Sequence, residues 1–274
     1  MRGRLFAALQ HLLPQHALTR WMGRLAASEA AWVKEPFIRI FSALYGVDLA
    51  EADRPQRGDY RSFNDFFTRA LKPGLRPFPV EERAIACPAD GTVSQSGRIE
   101  AGTLLQAKGV RYSLASLAGE LGAGFDGGSF VTVYLAPHNY HRVHTPCAGR
   151  LAAAQRVPGA LYSVNAATEA AVDGLFCRNE RLVCRLSTAH GDLLVVLVGA
   201  LIVGSIATSW GGPAPSRRPQ QMHRPNRTFA TGDELARFLL GSTVILCAPA
   251  GTARLEALQP GQSVKVGQVI GVWV

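Results

Sequence analysis

This sequence predicts an α+β protein, a β-rich core of sandwich or barrel type with amphipathic helices at its N-terminus. Two patterns carry that expectation. Residues 1–50 repeat apolar side chains at helical spacing, and from Ala84 onward short runs rich in Val, Leu and Ile alternate with glycine turns. The chain has 274 residues, of which 47% are hydrophobic and 18% charged, enough to bury a sizeable core without a disulfide or metal staple. That composition excludes a disordered chain, a collagen and a coiled coil.

Leu5, Phe6, Leu9, Leu12 and Leu13 predict a first helix, which Pro14 separates from a second carrying Leu18, Trp21, Met22 and Leu25. Arg2, Arg4, Arg20 and Arg24 stand among them, and no acidic residue precedes Glu29. A third helical stretch, Ala30 to Tyr45, carries Trp32, Phe37, Ile38, Ile40, Phe41 and Leu44. A helical cap packed on the core and a membrane-surface helix both fit this pattern, and the basic charge favours the membrane for residues 1–50. Residues 51–83 read as a connector with one short helix after Ser62, closed by Lys72-Pro-Gly.

Residues 84–274 form the β-rich domain, with strands expected at 130–135, 182–186, 193–198, 243–246 and 269–274. Two segments, Pro88-Ala-Asp-Gly-Thr-Val and Pro146-Cys-Ala-Gly-Arg-Leu, echo each other as tight turns into strands. The uncharged run Leu193 to Ala207 approaches the length of a spanning helix, but its Val and Ile content and the interruptions at Gly199 and Gly204 favour two buried strands around a glycine bend. Residues 211–228 read as an exposed basic loop, and Thr231 to Glu234 as either a capping box or a turn into a strand. The segment Pro260 to Gly271 is similar to the glycine-hairpin edge of lipoyl and biotinyl carrier domains. Lys265 would be the attachment point, but it lacks the surrounding pattern of those domains, so a plain β-hairpin is preferred.

Lys and Arg number 29 against 20 Asp and Glu, a net charge of +9, which points to an anionic partner, phospholipid headgroups or nucleic acid. The five cysteines are odd in number and form no C-x-x-C pair, which argues against a disulfide framework or a zinc ribbon and for a reducing compartment. The N-terminus lacks the apolar core and cleavage site of a secretory signal, which places the chain in the cytosol or on the cytoplasmic side of a membrane.

Three histidines, His138, His141 and His144, recur at intervals of three after a strongly apolar strand. The spacing is not H-E-x-x-H, and Pro137 and Pro146 squeeze any helical turn that would align them, so no metal is expected. Asp90 sits in a turn between apolar segments, and Ser242 follows Gly241 at the head of a strand. Asp90, His144 and Ser242 are one way of assembling a Ser-His-Asp constellation, although Ser242 lacks the G-x-S-x-G context of a conventional hydrolase.

Taken together, Pro88-Ala-Asp-Gly91, Pro137-His-Asn-Tyr-His-Arg-Val-His144, Val198-Gly-Ala-Leu-Ile-Val-Gly-Ser-Ile206 and Leu240-Gly-Ser-Thr243 resemble the phosphatidylserine decarboxylases, pyruvoyl-dependent enzymes that make phosphatidylethanolamine. The resemblance runs from about residue 84 to the end, and the apolar N-terminus is similar to the longer, membrane-associated bacterial form. Asn139 departs from the Asp usual in the family, and Leu201 from a more polar segment.

The resemblance implies self-cleavage between Gly241 and Ser242 into chains 1–241 and 242–274 that stay together as a heterodimer, with further dimerisation left open. His144 would take the Ser242 proton, Asp90 would orient the imidazolium, and Ser242 would become the pyruvoyl cofactor, the electron sink that forms a Schiff base with the substrate amine. His141 would return a proton to the substrate carbon. The implied location is peripheral, on the cytoplasmic face of the cell membrane, with phosphatidylserine and the anionic membrane surface as partners. Nucleic acid becomes the poorer partner, since no stacking-aromatic motif or zinc finger accompanies the basic residues. A Ser-His-Asp hydrolase with intact Ser242 and a noncatalytic membrane-binding module are the alternatives.

Overall fold

The computed structural model describes residues 14–106, 109–201, 206–213, 222–239 and 242–274. The first helix expected from the sequence, before Pro14, lies outside them. Helix α1 (Gln15–Ala27) begins directly after Pro14, a residue that has no N–H to leave unpaired at a helix start. Helix α2 (Ala31–Tyr45) turns Phe37 and Phe41 onto α3 (Phe63–Phe67), with the Phe37 and Phe63 rings stacked at 3.9 Å. The Ser62 side chain caps α3 by accepting from Asp65 N–H at 3.2 Å. The opposite side of α2 leaves Trp32, Ile40 and Leu44 exposed.

In chain order the strands are β1 (Ala84–Ala86), β2 (Gly91–Arg98), β3 (Thr103–Leu105), β4 (Arg111–Ser113), β5 (Ser129–Leu135), β6 (Arg142–His144), β7 (Gly149–Val157), β8 (Arg181–Ser187) and β9 (Asp192–Val198). They continue as β10 (Ile206–Thr208), β11 (Gly212–Pro213), β12 (Met222–His223), β13 (Arg227–Phe229), β14 (Glu234–Phe238), β15 (Ser242–Ala248), β16 (Ala253–Leu255), β17 (Ser263–Val264) and β18 (Val269–Trp273). The largest sheet runs β12-β7-β8-β9-β15-β5-β2-β17, with β13 also on β7. A second sheet runs β11-β10-β14-β6 and a third β1-β18-β16.

The large sheet lies between two cores. Along β9, Leu194, Val196 and Val198 face a core shared with Ile38, Phe63, Phe66 and Phe67 of the helices. Leu193, Val195 and Leu197 face a second core with Ile85, Val143, Phe238 and Trp273. A strand buried on both faces needs apolar residues at every position, so the run from Leu193 is apolar because it is central. It continues into β10 as a second strand, as expected, while Gly204 lies outside the described residues.

Other expectations meet corrections. The stretch 211–228 is not loop throughout: Met222–His223 and Arg227–Phe229 add to the edge of β7, where the main chain still has hydrogen bonds to give. Pro260 to Gly271 does not fold on itself as a hairpin. Val264 pairs with Gly91 of β2, whereas Val269 pairs with Ala86 of β1 in another sheet, and Gly267 N–H donates to Cys87 O between them. Of the two readings of Thr231 to Glu234, the turn into a strand is the one found, with Ala230 N–H donating to Asp233 Oδ2 at 2.7 Å.

Among the described strands the chain passes between the large sheet and the second one six times, and two of these crossings, β5 into β6 and β14 into β15, matter for the site. The residues singled out for chemistry sit at these crossings and at the turn that opens β2.

Candidate active site

After β5 ends at Leu135, Asn139 closes a turn by accepting Ala136 N–H on its side chain at 2.7 Å and donating its own N–H to Ala136 O at 2.9 Å. Asn therefore performs a turn role that the family's Asp would share. Tyr140 and His141 follow, then β6, whose His144 lies opposite Glu234 of β14. His144 N–H donates to Pro88 O at 2.9 Å, which brings the turn holding Asp90 beside β6.

His141 is fully buried, with its ring centroid 4.0 Å from that of Phe67. Its Nδ1 lies 2.8 Å from Asn139 O, and since a carbonyl only accepts, Nδ1 carries the hydrogen. Nε2 is left as a lone pair without a partner among the described residues. Burial pushes the pKa of the ring down to about 3, so it is neutral at pH 7.

His144 has the same tautomer by the same reasoning: Nδ1 donates to Gly232 O at 2.7 Å, and Nε2 lies 2.9 Å from the Tyr140 hydroxyl. Burial lowers its pKa, and the bond to Gly232 opposes that shift. Gly232 is needed here. Its φ is +86°, and a Cβ at this position would come within 2.6 Å of the Phe78 ring, which packs on His144.

Asp90, 2% exposed, does not hydrogen-bond to His144, which corrects the expectation that it orients the imidazolium directly. Its carboxylate accepts from Arg76 Nη2 at 2.7 Å, Lys265 Nζ at 3.4 Å and Val266 N–H at 2.8 Å. Arg76 also binds Glu51 at 2.6 Å. A backbone carbonyl thus stands where the carboxylate was expected, while Asp90 remains close enough to act on both histidines through its charge.

Ser242 is 0% exposed and opens β15 opposite Leu135. By strand alternation it shares the face of Val244 and Leu246, which pack into the core that contains Ala89 and Val143, the neighbours of Asp90 and His144. Its Oγ has no hydrogen-bond partner among the described residues, a state that costs about 1–3 kcal/mol for a buried polar group. Gly241 lies outside the described residues. The hydroxyls of Ser42, Thr132 and Thr243 share the unpartnered state of Ser242 Oγ, and what sets Ser242 apart is its place directly after Gly241 at the head of β15.

Several residues at the site were not singled out from the sequence. Arg69 donates to His138 O at 2.7 Å and leaves Nη1 unpaired, and Arg76 holds Asp90. Tyr140 lay within the quoted motif but received no role. Arg69, Asp90, Tyr140 and Lys265, with His138 and Glu51, border a cavity of about 240 Å³. Among the described residues, no group of three His, Cys, Asp or Glu side chains is placed to hold a metal ion.

Fold and site together define an α+β protein in which a buried serine and a buried and a half-buried histidine sit at crossings between two antiparallel sheets, with a buried carboxylate on the turn that opens β2. The profile of the phosphatidylserine decarboxylase family matches residues 63–272, and a second profile, described as PSD, matches residues 5–46. Proteins named phosphatidylserine decarboxylase proenzyme match over nearly the whole length. The one from Acidovorax ebreus is 47% identical over 98% of this chain and 98% of its own. Those from Methylococcus capsulatus and Chromobacterium violaceum are each 48% identical over 98% of this chain, and over 96% and 99% of their own. The chain belongs to the phosphatidylserine decarboxylase family, a family of enzymes.

Proposed function

We propose that this chain is a precursor that cleaves itself between Gly241 and Ser242 and then decarboxylates phosphatidylserine to phosphatidylethanolamine. One observation carries the reading: Ser242, directly after Gly241, is buried at the head of β15, on the strand face that packs into the core holding the neighbours of Asp90 and His144. The carbonyl of Gly241 adjoins its Oγ in the chain, within reach of an intramolecular attack. His144, with its lone pair at Nε2, takes the hydroxyl proton as Oγ attacks that carbonyl, and the Gly241–Ser242 amide becomes an ester. Elimination across Ser242 breaks the ester and frees chain 1–241. Hydrolysis of the dehydroalanine, with loss of ammonia, leaves the pyruvoyl group at the head of chain 242–274.

When formed, that group supplies an electron sink for loss of carbon dioxide. His141 Nε2, a free lone pair, takes a proton from the substrate ammonium and gives it back to the carbon that lost carbon dioxide. An anionic headgroup beside the ring raises its pKa, against the effect of burial. Chain 242–274 stays attached through β15, which pairs with both β5 and β9, and through Lys265 and Val266 on Asp90.

Residues 1–50 serve as a membrane-associating region, 51–83 as a connector and 84–274 as the catalytic domain. On α2, Trp32, Pro36, Ile40 and Leu44 follow one another at i,i+4 spacing, and Trp32, Ile40 and Leu44 are 82%, 66% and 71% exposed. No helix among the described residues is long and apolar enough to cross a membrane, and this stripe supports peripheral binding to a membrane surface.

Intact-mass measurement beside Ser242→Ala and His144→Ala tests the reading. The wild type is expected to split after Gly241, its short fragment carrying a pyruvoyl-blocked N-terminus, and both variants to stay whole. A folded wild type that remains one chain overturns it.

A further inference from the structure

We propose that Tyr140 caps the base of the self-cleavage reaction, so that its hydroxyl and Ser242 Oγ compete for Nε2 of His144. The inference rests on the self-processing reading above and adds a positioning residue to it. Gly232 O can only accept, which fixes the hydrogen on Nδ1 and leaves Nε2 as the single basic position of the ring. The Tyr140 hydroxyl, 2.9 Å away, must therefore be the donor. An imidazole nitrogen has one in-plane lone pair, so it cannot take the serine proton while it accepts a phenol hydrogen bond.

The nucleophile shows the complementary state. Ser242 Oγ is buried and has no hydrogen-bond partner among the described residues, so base and nucleophile are both present and not engaged with each other. Asp90 is similarly occupied by Arg76 and Lys265. Burial raises the Tyr140 hydroxyl to about 12, so it keeps its proton and stays a donor at neutral pH. Tyr140 also borders the 240 Å³ cavity, which gives the released ring somewhere to go. Cleavage then begins when Tyr140 leaves Nε2 and Ser242 takes its place. No atoms are exchanged with Tyr140, which keeps its proton throughout.

The experiment follows cleavage of newly translated full-length chain over time, at several pH values, for wild type, Tyr140→Phe and His144→Ala. Loss of one competing hydrogen bond is expected to speed cleavage by about fivefold at pH 7. The hydroxyl favours the neutral ring, so its loss also moves the pH midpoint of the rate upward, by about half a unit or more. The other charged groups around His144 and Tyr140, namely Glu234, Arg142, Asp90 and Arg237, are the same in both chains and do not produce that difference.

If Tyr140→Phe does not fold, fluorotyrosine at position 140, a stronger donor, is expected to slow cleavage instead. Cleavage by folded Tyr140→Phe at an unchanged or lower rate, or with an unchanged midpoint, overturns the cap while wild type still cleaves and His144→Ala does not. Failure of wild type to cleave, or cleavage of His144→Ala at the wild-type rate, overturns the underlying reading and the cap with it.

Discussion

Arg76 Nη2 lies 2.7 Å from Asp90 Oδ2, with the two side chains only 11% and 2% exposed. A guanidinium and a carboxylate this buried are each costly alone, so removing one is worse than removing both. In a Ser242→Ala background, where the chain stays whole, Arg76→Met is expected to cost about 3 kcal/mol of stability. The double change with Asp90→Asn should cost less than the sum of the single changes. Thermal unfolding of the four proteins checks this, and additivity would show that the pair carries no coupling.

The carbonyl of Gly232 depends on a backbone that alanine resists. Gly232→Ala places a Cβ against Phe78 at a φ of +86°, a strain of about 1–3 kcal/mol. The turn must shift, and Nδ1 of His144 loses its acceptor. Self-cleavage is expected to slow by about tenfold or more, measured as the half-time of conversion, and Phe78→Leu should restore part of it. An unchanged half-time would mean that Gly232 does not orient the base.

These two residues also show what the sequence could and could not reveal. His141 and His144 stood out because histidines at that density are unusual after an apolar strand, and β9 and β15 because burial on both faces leaves an unbroken apolar run. Ser242 stood out weakly by itself, since a serine after a glycine is common, and the resemblance gave it its role. Arg76 was not legible, because nothing local marks a cation whose partner lies across the fold. The expected Asp90–His144 bond failed for a related reason. The acceptor at Nδ1 is a main-chain carbonyl 88 residues away, and a main-chain group has no residue type to read.

The exposed stripe on α2 makes a separable prediction. Trp32→Asp and Leu44→Asp each replace one large, mostly exposed apolar side chain of α2 with a charged one. Each is expected to weaken binding to vesicles containing anionic lipid by roughly tenfold, read by co-sedimentation, with little change in melting temperature. Equal binding by both variants would remove α2 from the membrane contact.

Two buried groups push the pH dependence of stability in opposite directions. His141 has a folded pKa of about 3, below its ordinary 6.5, so the unfolded chain binds the extra proton between those values and stability falls as pH falls. Glu180, 5% exposed and with Oε2 unpartnered, is raised by burial from 4.5 to about 7, with Arg156 partly opposing. Here the folded chain holds the extra proton, so stability is full below 4.5 and is lost as pH rises to 7. Between about pH 4.5 and 6.5 the two slopes, each about 1.4 kcal/mol per pH unit at full strength, cancel to a large extent. Glu180→Gln in the Ser242→Ala background should therefore expose a stability that climbs with pH over this window, and His141→Leu one that declines. Urea unfolding at pH 4.5, 5.5 and 6.5 reads both slopes. Parallel curves for the two variants would show that neither group keeps its proton state through folding as its burial requires.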